Sequence, residues 1–408
     1  MYKRHILKEL EQCLKIFPAV LLTGARQTGK TTLVDELAQS GDYYFVSLDD
    51  DIALASAERD PSGWLASLPK PVIIDEVQRA LGIFLAMKLD IYKNKAPGRY
   101  LLTGSSNPFL SSDLADSLAG RMGVLNLFPL SQGELAGKEE TFINKIFAQE
   151  FKIEKVPEMP LEMLYQKMIR GGFPLVQPLK EPKDVKRWFK SYLKTMLERD
   201  VTDISNIEGL QDFPRLLRLL ATRSSLVLNI ADLSRSMGMV SMTLRRYIDV
   251  LVAIFFIHFI PAWFNNLGKR IVKSPKVYIC DTGMMAQLID IDEIRLKNDP
   301  SLTGHFFETF VLAEILKQKS WLETSFELYH FRDGDYKVDF ILEQPNGSIV
   351  GIEVKLTRSL NSDDLKGLKH LKKIAKHNFK RGIILHPGTE IQFLDDDLWA
   401  VPIQALWM

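Results

Sequence analysis

Gly24-Ala25-Arg26-Gln27-Thr28-Gly29-Lys30-Thr31 satisfies the pattern G-x-x-x-x-G-K-[ST] at every fixed position. In such a loop the glycines let the backbone curl until its N–H groups point at phosphate oxygens. The lysine, Lys30, reaches the β- and γ-phosphates, and the Thr31 hydroxyl is placed to ligate Mg²⁺. The motif requires a strand before it and a helix after it. Residues 17–23 (FPAVLLT) form a strand-like apolar run, and residues 32–38 (TLVDELA) have helical spacing. Strand, loop and helix therefore predict a phosphate cradle contacted from Gly24 through Thr32, with ATP and Mg²⁺ as the implied ligands.

Outward from the loop, residues 43–48 (YYFVSL) read as a second strand and residues 71–76 (PVIIDE) as a third, continuously apolar one. Strands buried on both faces look like this in parallel sheets. Asp75 at its carboxyl end is the expected support for the Mg²⁺ shell. Glu76 beside it is the expected group that polarises the attacking water, although Asp-Glu after an apolar run also starts helices. A fourth strand, 99–103 (RYLLT), leads into Gly104-Ser105-Ser106-Asn107. Ligands of open α/β sheets lie beyond the carboxyl ends of the strands, so Ser105 is a candidate γ-phosphate or water sensor; a turn and helix cap is the alternative. Residues 112–119 read as a helix ending at Gly120. Arg121 then precedes the apolar run 124–128, placed either as a finger toward a neighbouring subunit's nucleotide or as a surface arginine at a helix end.

These stretches, GARQTGKTTL (24–33), IIDEVQ (73–78), LLTGSS (101–106), SLAGR (117–121) and FPLSQGEL (128–135), resemble the AAA+ class of P-loop ATPases. More narrowly, the chain resembles a prokaryotic group in which that ATPase precedes a C-terminal domain of unknown function. The resemblance covers nearly the whole chain and implies an ATPase.

The chain has 408 residues, 46% hydrophobic and 25% charged, which allows two to four globular domains. With 52 basic and 51 acidic groups the net charge is +1, so affinity for nucleic acid would need local patches. Two cysteines make neither a disulfide framework nor a zinc site and suit a reducing cytosol. The N-terminal stretch reads as an amphipathic helix without a signal-peptide core. The run 250–260 is too short to span a bilayer. A soluble, cytoplasmic protein without membrane contact is expected, with homo-oligomerisation open.

The predicted organisation is a P-loop core (1–135), a helical lid (136–225), a winged helix-turn-helix (226–268) and a restriction-endonuclease-like α/β domain (269–408). The lid carries the break Gly171-Gly172-Phe173-Pro174 and the pair Arg199-Asp200, read as a structural ion pair or a second phosphate sensor. Residues 229–238 and 242–253 have helix-turn-helix spacing, with Ser241 as the expected cap of the second helix. Thr243, Arg245 and Arg246 would face a DNA groove, while packing or protein contact is the other use of such a module. The segment 268–276 holds Lys269, Arg270, Lys273 and Lys276, which would grip a DNA or RNA backbone, form a solvated loop, or pair with acids of the neighbouring domain.

In the last domain, residues 306–316 read as an amphipathic helix carrying Glu308. Residues 329–332 and 337–342 read as a hairpin, and residues 348–356 as a third strand. Asp339, Glu353 and Lys355 follow D-x13-E-x-K, with Glu353 and Lys355 on one strand face. Asp339 and Glu353 would hold Mg²⁺, Lys355 would position a water or neutralise charge, and Glu308 would complete the shell. The plainer alternative is a structural Glu–Lys pair. Function divides accordingly: an ATPase moving a nuclease-like module on nucleic acid, or a regulatory ATPase whose C-terminal domain is an inactive docking module.

Overall fold

The structure is a computed structural model that describes residues 2–39, 41–106, 118, 120–153, 156–198, 201, 210–266, 268, 270, 273–357 and 359–408. The predicted helix at 112–119, apart from Leu118, lies outside the described residues, as do Asn107, the Arg199-Asp200 pair and Lys269.

Five parallel strands form the first sheet: β1 (Ala19–Thr23), β2 (Tyr44–Ser47), β3 (Val72–Asp75), β4 (Tyr100–Gly104) and β5 (Met122–Asn126), in the order β2-β3-β4-β1-β5. Period-two geometry divides each apolar run between two cores. Ala19, Leu21, Val72, Ile74, Tyr100 and Leu102 bury on one face, and Val20, Leu22, Ile73 and Leu101 on the other. At about 1.5–3 kcal/mol for each fully buried aliphatic side chain, this double burial is why the runs are continuous rather than alternating. Helix α1 (Leu7–Ile16) buries Leu10 and Cys13, and helix α2 (Lys30–Gln39) follows the glycine loop.

Beyond this sheet one large hydrophobic core draws on residues from Phe142 to Trp407, and a separate core built from residues such as Val338, Ile341, Leu368 and Leu371 lies against the last sheet. The large core includes helix α3 (Pro182–Glu198), the pair α4 (Ile230–Met237) and α5 (Ser241–Ala253), and helix α6 (Pro300–Lys319). Asn229 caps α4 by accepting from Asp232 N, and Gly238 ends it at φ +67°. Ser241 does not cap α5, contrary to expectation. It is the first helical residue after Val240, and its hydroxyl ties back to Ser234. Strands β6 (Leu226–Val227), β7 (Ile257–Ile260) and β8 (Lys276–Ile279), which flank this helix pair in the chain, form a small antiparallel sheet in the order β6-β8-β7.

The last sheet has the order β13-β14-β12-β11-β10-β9. Strands β9 (Glu327–Asp333), β10 (Tyr336–Glu343) and β11 (Ile349–Val354) are antiparallel neighbours, and β12 (Phe379–His386) runs parallel to β11. Strand β13 (Gln392–Asp395) pairs antiparallel with β14 (Leu398–Pro402). Helix α6 is not amphipathic as predicted. Twelve of its twenty residues are buried, because it lies inside the shared core rather than on a surface. Among the described residues no helix is long and apolar enough to cross a membrane.

Candidate functional site

The glycine loop leaves β1 at its carboxyl end, between β4 and β5. Gly24 sits at φ +145°, and a Cβ there would lie 2.2 Å from the Leu127 carbonyl oxygen, so only glycine fits. Lys30 folds over the loop, donating to the carbonyls of Gly24 (2.8 Å) and Ala25 (2.9 Å). Thr28 Oγ1 donates to Ala25 O at 2.9 Å. Arg26 is half-buried, whereas Gln27, Thr31 and Thr32 are exposed at the loop and helix start.

The end of β3 meets this loop from one strand pair away. Thr31 Oγ1 donates to Asp75 at 3.2 Å, Ser47 Oγ donates to it at 3.3 Å, and the Thr103 hydroxyl donates to it as well. Burial raises the Asp75 carboxyl above its ordinary range against the pull of these three hydroxyls. Glu76 takes the left-handed conformation, φ 58° and ψ 44°, which turns its side chain back toward β4. There Ser105 Oγ donates to Glu76 at 3.3 Å. The Gln78 side-chain amide donates to Glu76 and, at 2.9 Å, to Ser105. The expected set Lys30, Thr31, Asp75, Glu76 and Ser105 is thus brought to one rim of the sheet.

Arg121 stands elsewhere. It precedes Met122, which pairs with Ala19, while the glycine loop begins after Thr23, paired with Asn126. That separation is about 13 Å along the strand, at the opposite end of the sheet.

Two residues around this rim escaped the sequence reading. Gln78 is brought in by the left-handed turn at Glu76. Arg4 donates to Thr28 O (2.7 Å), Phe128 O (2.7 Å) and Glu134 (3.0 Å), pinning the glycine loop to the 128–135 segment. Its partners lie 24, 124 and 130 residues away, and no local pattern announces them.

A second polar centre lies in the last sheet. Glu308 on α6 accepts from Lys276 Nζ (2.7 Å) and Tyr278 OH (2.6 Å), both on β8. Lys276 Nζ also lies 3.6 Å from Asp339 on β10. Asp339 accepts from the Val354 N–H at 3.0 Å. Lys355 Nζ pairs with Glu353 at 3.1 Å and Asp364 at 3.5 Å. Burial first, then the Asp339 charge, push the Glu353 carboxyl to about 8 and the Glu308 carboxyl to about 7. Burial alone would lower Lys276, but Glu308 and Asp339 outweigh it and raise the ammonium. A cleft of about 600 Å³ opens over Glu353, Lys355, Lys337 and His370.

The expected residues Glu308, Asp339, Glu353 and Lys355 do converge, but a lysine has joined them. Among the described residues no three His, Cys, Asp or Glu side chains are grouped to hold a metal ion. The arrangement of Asp339 and Glu353 with Lys276 therefore does not fit the metal expected there. The basic segment divides in the same sense. Lys276 is held by acids, and Arg270 is paired with Glu343 (Nη2 to Oε1 3.1 Å) over the rings of Trp263 and Tyr329. For Arg270 and Lys276, pairing with neighbouring acids, rather than a solvated loop, is what forms.

Residues 17–136 match the AAA domain family, residues 161–295 a domain of unknown function (DUF8612), and residues 303–406 another (DUF4143). The chain is similar to the uncharacterized proteins Rv2008c of Mycobacterium tuberculosis and Mb2031c of Mycobacterium bovis. Each is 30% identical over 408 aligned residues, covering 99% of this chain and 84% of the relative. MJ1544 of Methanocaldococcus jannaschii is 21% identical, covering 97% and 89%. Among solved structures, the Walker-type ATPase PABY2304 of Pyrococcus abyssi overlaps 71% of this chain and 96% of its own, at 14% identity and a TM-score of 0.40. The RuvB Holliday junction branch migration motor of Thermotoga maritima overlaps 63% and 89%, at 20% identity and a TM-score of 0.30. The first sheet and its glycine loop are thus an AAA+ P-loop ATPase domain, which binds and hydrolyses ATP, ahead of a distinct C-terminal domain. Similar to the mycobacterial proteins across nearly its whole length, the chain belongs to their family, with an AAA domain preceding the DUF8612 and DUF4143 domains.

Proposed function

We propose that the chain is an ATP-driven switch in which hydrolysis at the glycine loop moves the middle helices and the C-terminal domain, and that this moving part acts on nucleic acid. The observation that carries the reading is the meeting of Thr31, Asp75, Glu76 and Ser105 at one sheet rim. The loop amides and Lys30 hold the phosphates. The all-oxygen donor set of Thr31, Ser47 and Asp75 suits a hard Mg²⁺ ion, which when bound neutralises charge on the β- and γ-phosphates. Glu76, steered by Gln78 and Ser105, orients and polarises the attacking water. Arg121, too far from its own subunit's loop, acts on the nucleotide of a neighbouring copy.

Coupling is supported by a polar path. Arg4 joins the Thr28 carbonyl to Glu134, and in the same 128–135 segment Gln132 N donates to Glu314 on α6 at 2.8 Å. A displaced glycine loop therefore pulls on the central helix of the C-terminal domain. Nucleic acid meets this part at α5, whose early residues Thr243, Arg245 and Arg246 are exposed in the manner of a winged helix-turn-helix. The restriction-endonuclease-like reading rests on the convergence of Glu308, Asp339, Glu353 and Lys355 on one helix and adjacent strands. The presence of Lys276 among these carboxylates favours a second reading, an inactive docking module.

Nuclease assays with Mg²⁺ or Mn²⁺ on single- and double-stranded DNA and RNA, with and without ATP, separate the two. Metal-dependent cleavage lost in Asp339→Ala and Lys355→Ala supports action on nucleic acid. Neither binding nor cleavage on any substrate leaves the docking reading. For the nucleotide site, Lys30→Ala removes charge-assisted contacts worth about 1.5–3 kcal/mol each. ATP affinity measured by calorimetry should fall about 10- to 100-fold, and unchanged affinity would refute the phosphate role. Arg121→Ala should slow turnover only at protein concentrations where copies assemble. Equal turnover in an assembled sample removes the finger.

A further inference from the structure

We infer that Lys276 is a built-in counter-cation that closes the carboxylate centre of the C-terminal domain to divalent metal. This rests on the reading of that centre as nuclease-like, and it adds the condition under which the centre is shut. Lys276 does not belong to the strands that carry the acids. It starts β8, whose neighbours β6 and β7 flank the helix pair α4–α5 in the chain, β6 before it and β7 after it. From there its ammonium enters between Glu308 and Asp339, at 2.7 and 3.6 Å, the separations of an ion pair. Tyr278, two residues along on the same strand face, supplies a second donor to Glu308.

Glu353 shows that the centre retains unused capacity. It is 4% exposed, its Oε1 pairs with Lys355, and its Oε2 is buried without a hydrogen-bond partner. A buried, unmatched carboxylate oxygen is costly, and it lies at the cleft that Lys355 and Asp364 line. The seat between Glu308 and Asp339 is filled by an ammonium that brings charge without open coordination positions, so these carboxylate oxygens, of the kind a hard cation takes, are not presented as a metal site while Lys276 is in place. Because that ammonium rides on β8, the centre opens only if β8 withdraws from α6 and β10.

The test is Mn²⁺ binding by calorimetry, with Mn²⁺ electron paramagnetic resonance as the second readout, on the full chain and on Lys276→Met. The variant should bind one Mn²⁺ at least about tenfold more tightly than the wild type, a change of about 1.4 kcal/mol. Adding Asp339→Asn to the variant should abolish that binding. Thermal melting should rise with Mn²⁺ in the variant and stay unchanged in the wild type. If Lys276→Met does not fold, Lys276→Gln keeps a donor to Glu308 without the charge and should show the same gain. Equal affinity in wild type and variant overturns the inference, as does absence of binding in both. Metal-dependent cleavage by the wild type would uphold the nuclease reading while sinking the closure. Binding by the variant without cleavage would do the reverse.

Discussion

Glu76→Gln should bind ATP normally and hydrolyse it about 10²- to 10⁴-fold more slowly, the range set by losing a positioned general base. The substitution keeps the volume and one carbonyl acceptor, so the amide of Gln78 and the hydroxyl of Ser105 retain a partner. What disappears is the negative charge that polarises water. Asp75, whose contacts run to Thr31, Ser47 and Thr103, stays in place to support the metal shell. The backbone is also preserved, because Glu76 N donates to Thr103 Oγ1 at 3.1 Å whatever the side chain. Nucleotide affinity by calorimetry and turnover by phosphate release should therefore separate. Normal turnover would mean that another group activates the water. A Gln78→Ala chain provides a graded comparison. It should lower turnover less, because Glu76 keeps its charge and Ser105 and loses only one orienting donor.

The parts of this site that the sequence disclosed are those whose spacing is local. The glycine loop, the Asp75-Glu76 pair and Ser105 each follow directly from an apolar run, and a parallel sheet brings the carboxyl ends of such runs together. The convergence of Glu308, Asp339, Glu353 and Lys355 was legible for the same reason, one helix and three strands being readable in order. Arg4 and Lys276 were not. Arg4 finds Glu134 across 130 residues, and Lys276 finds Glu308 across 32, so both depend on packing that no periodicity encodes. Lys276 was in view only as a member of a cationic run, and its neighbour Arg270 turned inward to Glu343 instead. Strand β6 was missed because two exposed residues, Leu226 and Val227, carry no pattern. Helix α6 was misjudged as amphipathic because its outer face meets the middle helices instead of water.

Lys317→Met should destabilise the chain by about 3–5 kcal/mol, the cost of leaving one half of a buried ion pair alone. Lys317 on α6 donates to Glu314 at 2.6 Å and to the Leu130 carbonyl at 3.0 Å, with both side chains almost wholly buried. Asp281, buried and accepting from Gly172 N at 2.7 Å, also leans on this ammonium. One lysine thereby fastens the segment after the P-loop sheet, the Gly171-Gly172 break and the C-terminal helix together. Burial raises the Glu314 carboxyl even with Lys317 present, and methionine removes the group that opposes that rise. A carboxyl whose folded pKa exceeds its unfolded value favours the folded state when protonated, and that advantage is lost as pH climbs from the unfolded toward the folded pKa. The loss of stability in Lys317→Met should accordingly be smaller at pH 5 than at pH 8, where Glu314 must either stay charged without a partner or retain its proton against solvent. Urea denaturation midpoints at the two pH values provide the measurement. Lys8→Met serves as the control, since the Lys8–Glu323 pair is open to water and its loss should leave the midpoint unmoved. A midpoint shift in Lys317→Met no larger than in that control, at either pH, would show that the buried pair does not hold the three segments together.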